Sequence, residues 1–245
     1  MKLDWRRVGE YYKDLRPSTL RTHKYRHLFL ILFWPIFWLV FMTLEKYWPS
    51  IWQSISGSPL VYREVVSVLD AYIPFCEWFV IPYYFWFAFL FGMGLWSVLF
   101  DIRAFRHFSW LVMTTYSVTA MIYLIWPNMQ ALRPTHIPRD NWMVDVVRWL
   151  YRFDTNTNVC PSIHVLGSLS VCFAGLHSRT LRGWGWKSFF VLSTLAITLS
   201  TVFLKQHSIL DIFAAFAVFA VCYPPVVWGI CRESGSCKQI ESKGA

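Results

Sequence analysis

Long apolar runs alternate with short polar connections from residue 28 to residue 230. A helix needs roughly 20 mostly apolar residues to cross the hydrocarbon core of a bilayer. The segments that reach or approach this length are 28–44, 78–100, 108–126, 164–177, 188–204 and 209–230, of which the fourth is short. The pattern therefore predicts an all-α integral membrane bundle of about six transmembrane helices.

A long polar loop, residues 127–162, separates the third and fourth segments. Within it Val144, Val147 and Leu150 recur at helical spacing among several aromatic residues. This spacing predicts an amphipathic helix lying in the membrane interface. With no internal repeat and no second soluble domain in view, we expect a basic N-terminal segment (1–27), a six-helix membrane domain (28–230) and a tail (231–245).

The overall composition agrees with a lipid environment, because 56% of the residues are hydrophobic and only 15% are charged, against about 25% charged in soluble domains. The net charge of +9 is unevenly distributed. If the six segments cross the membrane in alternation, 16 Lys and Arg residues fall on the side of the termini and 7 on the other. The positive-inside rule then places both termini in the cytoplasm. We attribute the positive charge to cytoplasmic loops that meet anionic membrane lipids, and not to nucleic-acid binding.

The polar residues inside the apolar segments indicate where chemistry could occur. Asp211 is the one carboxylate between residues 155 and 232, and it begins the sixth segment. A carboxylate inside a membrane segment is energetically costly, so a functional role is the first hypothesis for it. His207, four residues earlier, lies on the same helical face, where an Asp hydrogen bond would fix its tautomer and make the other ring nitrogen a nucleophile. Taken alone, the pair could equally be a structural pair at a helix end, in which the two side chains only hydrogen-bond each other, or part of a transporter's proton relay.

A second cluster, Pro161-Ser162-Ile163-His164, lies where the long loop meets the fourth segment. The free amides of a helix N-terminus suit a phosphate group, and a histidine there can donate and accept protons. Arg133, followed by Pro134, offers a planar fork for phosphate oxygens on the same predicted face. Lys205, two residues before His207, is a further cation.

The six cysteines contain no C-x-x-C pair, so we expect no metal site and no cofactor. Cys76 and Cys160 both fall near the predicted outer face. They could form a disulfide there or remain two separate thiols. His136 could touch a substrate, but its position alone does not assign it a role.

Taken in order, Arg133-Pro134, Pro161-Ser162-Ile163-His164, Ser200 and His207-x-x-x-Asp211 resemble the three motifs of the type 2 phosphatidic acid phosphatase superfamily. Two departures remove phosphate-binding cations: Trp126 replaces the usual lysine, and Thr201 replaces the usual arginine. The run from residue 154 to His164 looks most like the branch of inositol phosphorylceramide synthases, sphingomyelin synthases and bacterial relatives.

The resemblance implies a metal-independent membrane lipid phosphatase or phosphotransferase. In this scheme His207 takes the phosphoryl group, Asp211 orients it and His164 protonates the departing lipid. The groups expected to hold the phosphate oxygens are Arg133, Lys205 and Ser162. The substrate would be a lipid phosphate such as phosphatidic acid, a prenyl diphosphate or a phospho-headgroup lipid, bound from the extracytoplasmic side of the cell membrane.

Two alternatives remain: a proton-coupled transporter or lipid-flipping protein that uses the His/Asp pair, and an inactive membrane scaffold. The oligomeric state and the choice between hydrolysis and transfer stay open.

Overall fold

The computed structural model describes the backbone of residues 5–233 and the side chains of residues 5–230. This part of the chain is all-α, apart from one pair of two-residue strands. Most of the predicted tail, residues 234–245, lies outside the described residues. The helices are α1 (Trp5–Tyr12), α2 (Phe33–Met42), α3 (Trp48–Ser56), α4 (Val80–Phe100), α5 (Ile102–Ile125), α6 (Trp142–Phe153), α7 (Ile163–Leu176), α8 (Trp184–Phe203) and α9 (Ile209–Glu233).

Five helical segments are long and apolar enough to cross a membrane: Arg26–Ser56, Glu77–Phe100, Ile102–Ile125, Trp184–Phe203 and Ile209–Ile230. The chain is therefore described as an integral membrane protein with five candidate spanning helices. The first is longer than the predicted 28–44, because a π-helical stretch, Thr43–Tyr47, joins α2 to α3 without a break. The apolar residues of α3 continue the helix past the charged pair at Glu45 and Lys46.

The fourth predicted segment, 164–177, is the short helix α7 of 14 residues, which spans only about 21 Å at 1.5 Å per residue. It is almost completely enclosed: every residue from His164 to Cys172 is buried. Helices α4, α5, α8 and α9 surround it. A short helix can occupy this position because protein, and not lipid, covers its polar ends.

The close approach of α7 to its neighbours depends on a glycine. A Cβ atom added at Gly167 would overlap the hydroxyl of Tyr116 on α5 and would lie 3.1 Å from Nε1 of Trp86 on α4. The main hydrophobic core is built around this crossing, with Phe108, Leu111 and Leu166 fully buried.

The predicted amphipathic helix of the long loop is confirmed as α6. Its buried face, Met143, Val144, Val147 and Leu150, packs on a second core cluster that includes Val80, Tyr83 and Leu204. Strands β1 (Arg63–Glu64) and β2 (Asn128–Met129) pair in parallel, and Asn128 on β2 accepts hydrogen bonds from the amides of Val159 and Cys160, just before α7. Helix α6, the strand pair and the first turns of α7 and α9 therefore gather at one end of the bundle.

The opposite end is organised by Asp101 at the turn between α4 and α5. Its carboxylate caps α5 through the amide of Ala104 and accepts a hydrogen bond of 2.7 Å from the Ser178 hydroxyl in the turn after α7. The N-terminal segment also attaches here, because the Tyr12 hydroxyl donates to the Val98 carbonyl at 2.6 Å. The two ends of the bundle are thus structurally distinct.

Candidate active site

His207, Asp211 and His164 meet at the end of the bundle that carries α6. Nδ1 of His207 lies 3.0 Å from Oδ2 of Asp211, and Nε2 of His207 lies 3.4 Å from Nδ1 of His164. All three residues are buried, Asp211 completely. The contact joins the first turn of α7 to the turn just before α9, so residues 43 positions apart in the chain are brought together. His207 precedes the start of α9, so its pair with Asp211 forms across the beginning of the helix and not on one helical face, as the spacing predicted.

The hydrogen bonds define the chemical state of His207. Oδ2 of Asp211 also accepts the backbone amide of Ser208 at 3.0 Å, which fixes the carboxylate relative to the ring. Because a carboxylate accepts hydrogen bonds, Nδ1 of His207 carries the proton and Nε2 carries the lone pair that faces His164. This arrangement leaves Nε2 as a nucleophile or base.

The His164 ring is held by aromatic side chains of α4. Its centroid lies 4.5 Å from that of Tyr83 and 4.4 Å from that of Trp86. The backbone before the ring is held as well, because Tyr116 donates to the Ile163 carbonyl and Tyr123 donates to the Pro161 carbonyl at 2.6 Å. The orientation of His164 is therefore determined by tertiary packing.

Ser162 is the N-cap residue of α7, and the structure places it beside the pair. Its backbone amide donates to the Asp211 carbonyl at 3.3 Å. Its hydroxyl is fully buried and has no hydrogen-bond partner among the described residues. A buried polar group without a partner is unusual in native proteins, and this one is available to a ligand at the N-terminus of a helix.

Arg133 approaches the site through Gln206, the residue immediately before His207. Its Nη2 atom donates to Oε1 of Gln206 and to two backbone carbonyls, and its guanidinium stacks on the Tyr151 ring at 4.7 Å. Its Nε atom is buried without a partner in the described part of the chain. Burial lowers the pKa of this arginine from its usual value. One donor of Arg133 is thus unoccupied.

Lys205 is placed differently from the sequence expectation. Its ammonium group donates to the backbone carbonyls of Asp70 (2.7 Å) and Ile73, and burial lowers its pKa. It therefore ties the turn before α9 to the segment before α4. Among the described residues the Lys205 ammonium makes its hydrogen bonds to these carbonyls and not to His207 or His164. Its role as a phosphate ligand stays a prediction.

Asp154 is a site residue to which the sequence assigned no definite role. Its Oδ2 atom accepts hydrogen bonds from the Tyr83 hydroxyl at 2.7 Å and from Nε2 of Gln206 at 3.3 Å. Burial raises the pKa of this carboxyl, while Tyr83, His207 and Arg133 oppose the rise. Asp154 thus links Tyr83, which packs against His164, to Gln206, which accepts a hydrogen bond from Arg133.

Asp70 and Glu45 were not predicted at all. Asp70 accepts hydrogen bonds from the Ser208 hydroxyl at 2.6 Å and the Ile209 amide at 2.8 Å, and so it caps α9 immediately before Asp211. Its sequence signal is a capping box with Ser67. Glu45 accepts hydrogen bonds from Thr155, Thr157 and Asn158. These bonds attach the loop before His164 to the first candidate spanning segment, Arg26–Ser56.

The remaining candidates take no part in this constellation. Cys76 and Cys160 are both free thiols. Burial raises the pKa of the Cys160 thiol to about 12. Within residues 5–230 no group of three His, Cys, Asp or Glu side chains is arranged to hold a metal ion. His136 lines an open cleft beside Arg133.

In comparisons with known proteins, no protein family, no curated protein and no solved structure matches this chain. The fold and the site therefore define the class only coarsely, as a helical integral membrane protein with a buried His/His/Asp constellation at one end of its bundle.

Proposed function

We propose that this protein is a membrane lipid phosphatase or phosphotransferase that works through a phosphohistidine at His207. The observation that carries the proposal is the linear order Asp211, His207, His164, with a nucleophilic Nε2 atom between an orienting carboxylate and a second imidazole. The ordered motifs that resemble those of type 2 phosphatidic acid phosphatases support the same proposed function.

In the first half-reaction Nε2 of His207 forms a bond to phosphorus, and the bond between phosphorus and the lipid oxygen breaks. His164 gives a proton to the departing oxygen, and Asp211 stabilises the positive charge that develops on His207. The phosphoryl group takes the place of the direct contact between the two rings. We assign the binding of the phosphate oxygens to Nε of Arg133 and Oγ of Ser162, because both atoms are buried without partners in the described structure and such donors stabilise a developing anion.

In the second half-reaction His164 removes a proton from the acceptor, whose oxygen then attacks phosphorus and frees His207. Water as acceptor makes the protein a phosphatase, and a lipid hydroxyl makes it a transferase. The protons balance, since the one that His164 gave to the leaving lipid is recovered from the acceptor.

The membrane arrangement that goes with this proposal has six crossing segments, both termini in the cytoplasm and the site on the extracytoplasmic side. The excess of Lys and Arg at the other end of the bundle supports the orientation. The burial of α7 among four longer helices supports counting it as a sixth segment within the bundle.

Purified protein in detergent tests the reaction directly. A panel of phosphatidic acid, prenyl diphosphate and phospho-headgroup lipids is supplied with and without an acceptor alcohol, and free phosphate is scored against transferred phosphate. We expect His207→Ala and His164→Ala to abolish both products. The matched control is His23→Ala, which removes an exposed imidazole of the N-terminal segment, outside both the constellation and its surroundings.

Acid-labile phosphate trapped on His207 from a labelled substrate would support the covalent step. Full activity of both alanine variants would refute the proposal. Proton-coupled flux across a vesicle membrane without any phosphohistidine would favour the transporter alternative.

A further inference from the structure

The amphipathic helix α6 presents three chemically different faces. One is the buried face described above. A second carries Trp142, Trp149 and Phe153, which are all more than half exposed. The rings of Trp149 and Phe153 stack at 5.5 Å. Aromatic side chains of this kind favour the boundary between lipid and water.

The third face carries Arg148 and Arg152, one helical turn apart. Together with His136 they line an open cleft of about 390 Å³ whose remaining walls are Pro134, Thr135, Ile137 and Tyr151. Like charges spaced four residues apart destabilise a helix by a few tenths of a kcal/mol. An anion in the cleft removes that repulsion.

The charges around the cleft are only partly neutralised. Arg148 pairs with Asp145 at 2.9 Å and with Asp140 at 3.4 Å, on the exposed surface. No ion pair includes Arg152 among the residues that the structure describes. Arg152 therefore carries the positive charge that is open to a ligand, while Arg148 shares its charge with two exposed carboxylates.

Two of the residues that line the cleft, Pro134 and Tyr151, are direct neighbours of Arg133. Pro134 follows Arg133 directly, and the ring of Tyr151 lies beneath the Arg133 guanidinium. The Tyr151 hydroxyl also donates to the Leu204 carbonyl at 2.7 Å, in the segment that leads to His207. Tyr151 therefore forms a wall of the cleft on one side and supports the Arg133 guanidinium on the other.

We propose that this cleft binds the phosphate group of an anionic membrane lipid, with the acyl chains lying along Trp149 and Phe153. The arginines recognise the phosphate and the aromatic face keeps the helix at headgroup depth. As an entry site for substrate the cleft rests on the proposed function, whereas the binding itself does not.

Binding is measured with turnover blocked, in the His207→Ala protein, by titrating short-chain phosphatidic acid into detergent-solubilised samples. Adding Arg148→Gln and Arg152→Gln should weaken binding roughly 25-fold, at about fivefold for each charge near the headgroup. Adding Lys46→Gln and Arg63→Gln removes the same charge from exposed positions outside the cleft and should change affinity less than about threefold.

Two further arms make the test specific. Arg148→Lys with Arg152→Lys keeps the charge and should bind within about fivefold of the parent, which separates loss of charge from loss of fold. Short-chain phosphatidylcholine, whose headgroup has no net charge, should bind weakly to every variant.

Equal weakening in the glutamine pair and the control pair would overturn the assignment, as would no weakening in either. Inorganic phosphate that competes as strongly as the lipid would also overturn it, in favour of a site for free phosphate. Because turnover plays no part in these titrations, their failure leaves the proposed reaction untouched, and an inactive enzyme leaves the binding result standing.

Discussion

The substitution Asp211→Asn gives the sharpest test of the catalytic arrangement. An asparagine has the same shape, and its carbonyl oxygen can still accept from Nδ1 of His207 and from the Ser208 amide. Its NH₂ group would take the position of Oδ1, which has no partner in the described structure. The geometry is therefore preserved while the negative charge is removed.

The magnitude follows from the charge that His207 acquires when Nε2 bonds to phosphorus. With a hydrogen bond of 3.0 Å, the centres of the imidazolium and the carboxylate lie about 4 Å apart, and their attraction at an effective dielectric of 20 is about 4 kcal/mol. This attraction is absent while the ring is neutral. Its loss raises the barrier and should lower kcat roughly 10³-fold.

The assay is phosphate release or transfer from the best lipid of the panel, with kcat and KM determined separately. We expect kcat to fall about a thousandfold while KM changes less than about threefold, because the charge acts only when the imidazolium forms. Asp14→Asn, an exposed substitution outside the constellation, is the matched control. A kcat within tenfold of the parent in a correctly folded protein would refute this account of Asp211.

The remaining predictions concern residues around the pair. Asp154→Asn should leave the melting temperature at pH 7 equal or higher, because a buried carboxyl with a raised pKa destabilises the fold as pH rises through that pKa. The same variant should lower activity about tenfold, the effect of one neutral hydrogen bond; a fall in the melting temperature at pH 7 would contradict the sign. Gly167→Ala should destabilise the protein by about 1–3 kcal/mol, since the added Cβ overlaps Tyr116, whereas Gly92→Ala, with open space around it, should not. Cys160, whose pKa is raised to about 12 by burial, should stay unmodified by iodoacetamide at pH 8 in the folded protein and react after denaturation.

Much of the candidate site could be predicted from local sequence. The four-residue spacing of His207 and Asp211 predicts that their side chains are close, and they are, although His207 lies in the turn before α9 and not on its helical face. The scarcity of charge around them is what made them candidates for a functional role. Proline and serine before His164 indicate the start of a helix. The spacing of Val144, Val147 and Leu150 predicts α6, because a helix repeats every 3.6 residues whatever it packs against.

Tertiary structure alone decided the rest, because the contacts involved join residues that are far apart in the chain. Asp154 is paired with Tyr83 across 71 positions, and Lys205 is held by carbonyl groups more than 130 positions away. No local period encodes such contacts. The enclosure of α7 likewise depends on how four other helices pack around it. The amino-acid sequence by itself thus determined which residues could react, and the packing of the bundle decided which of them meet.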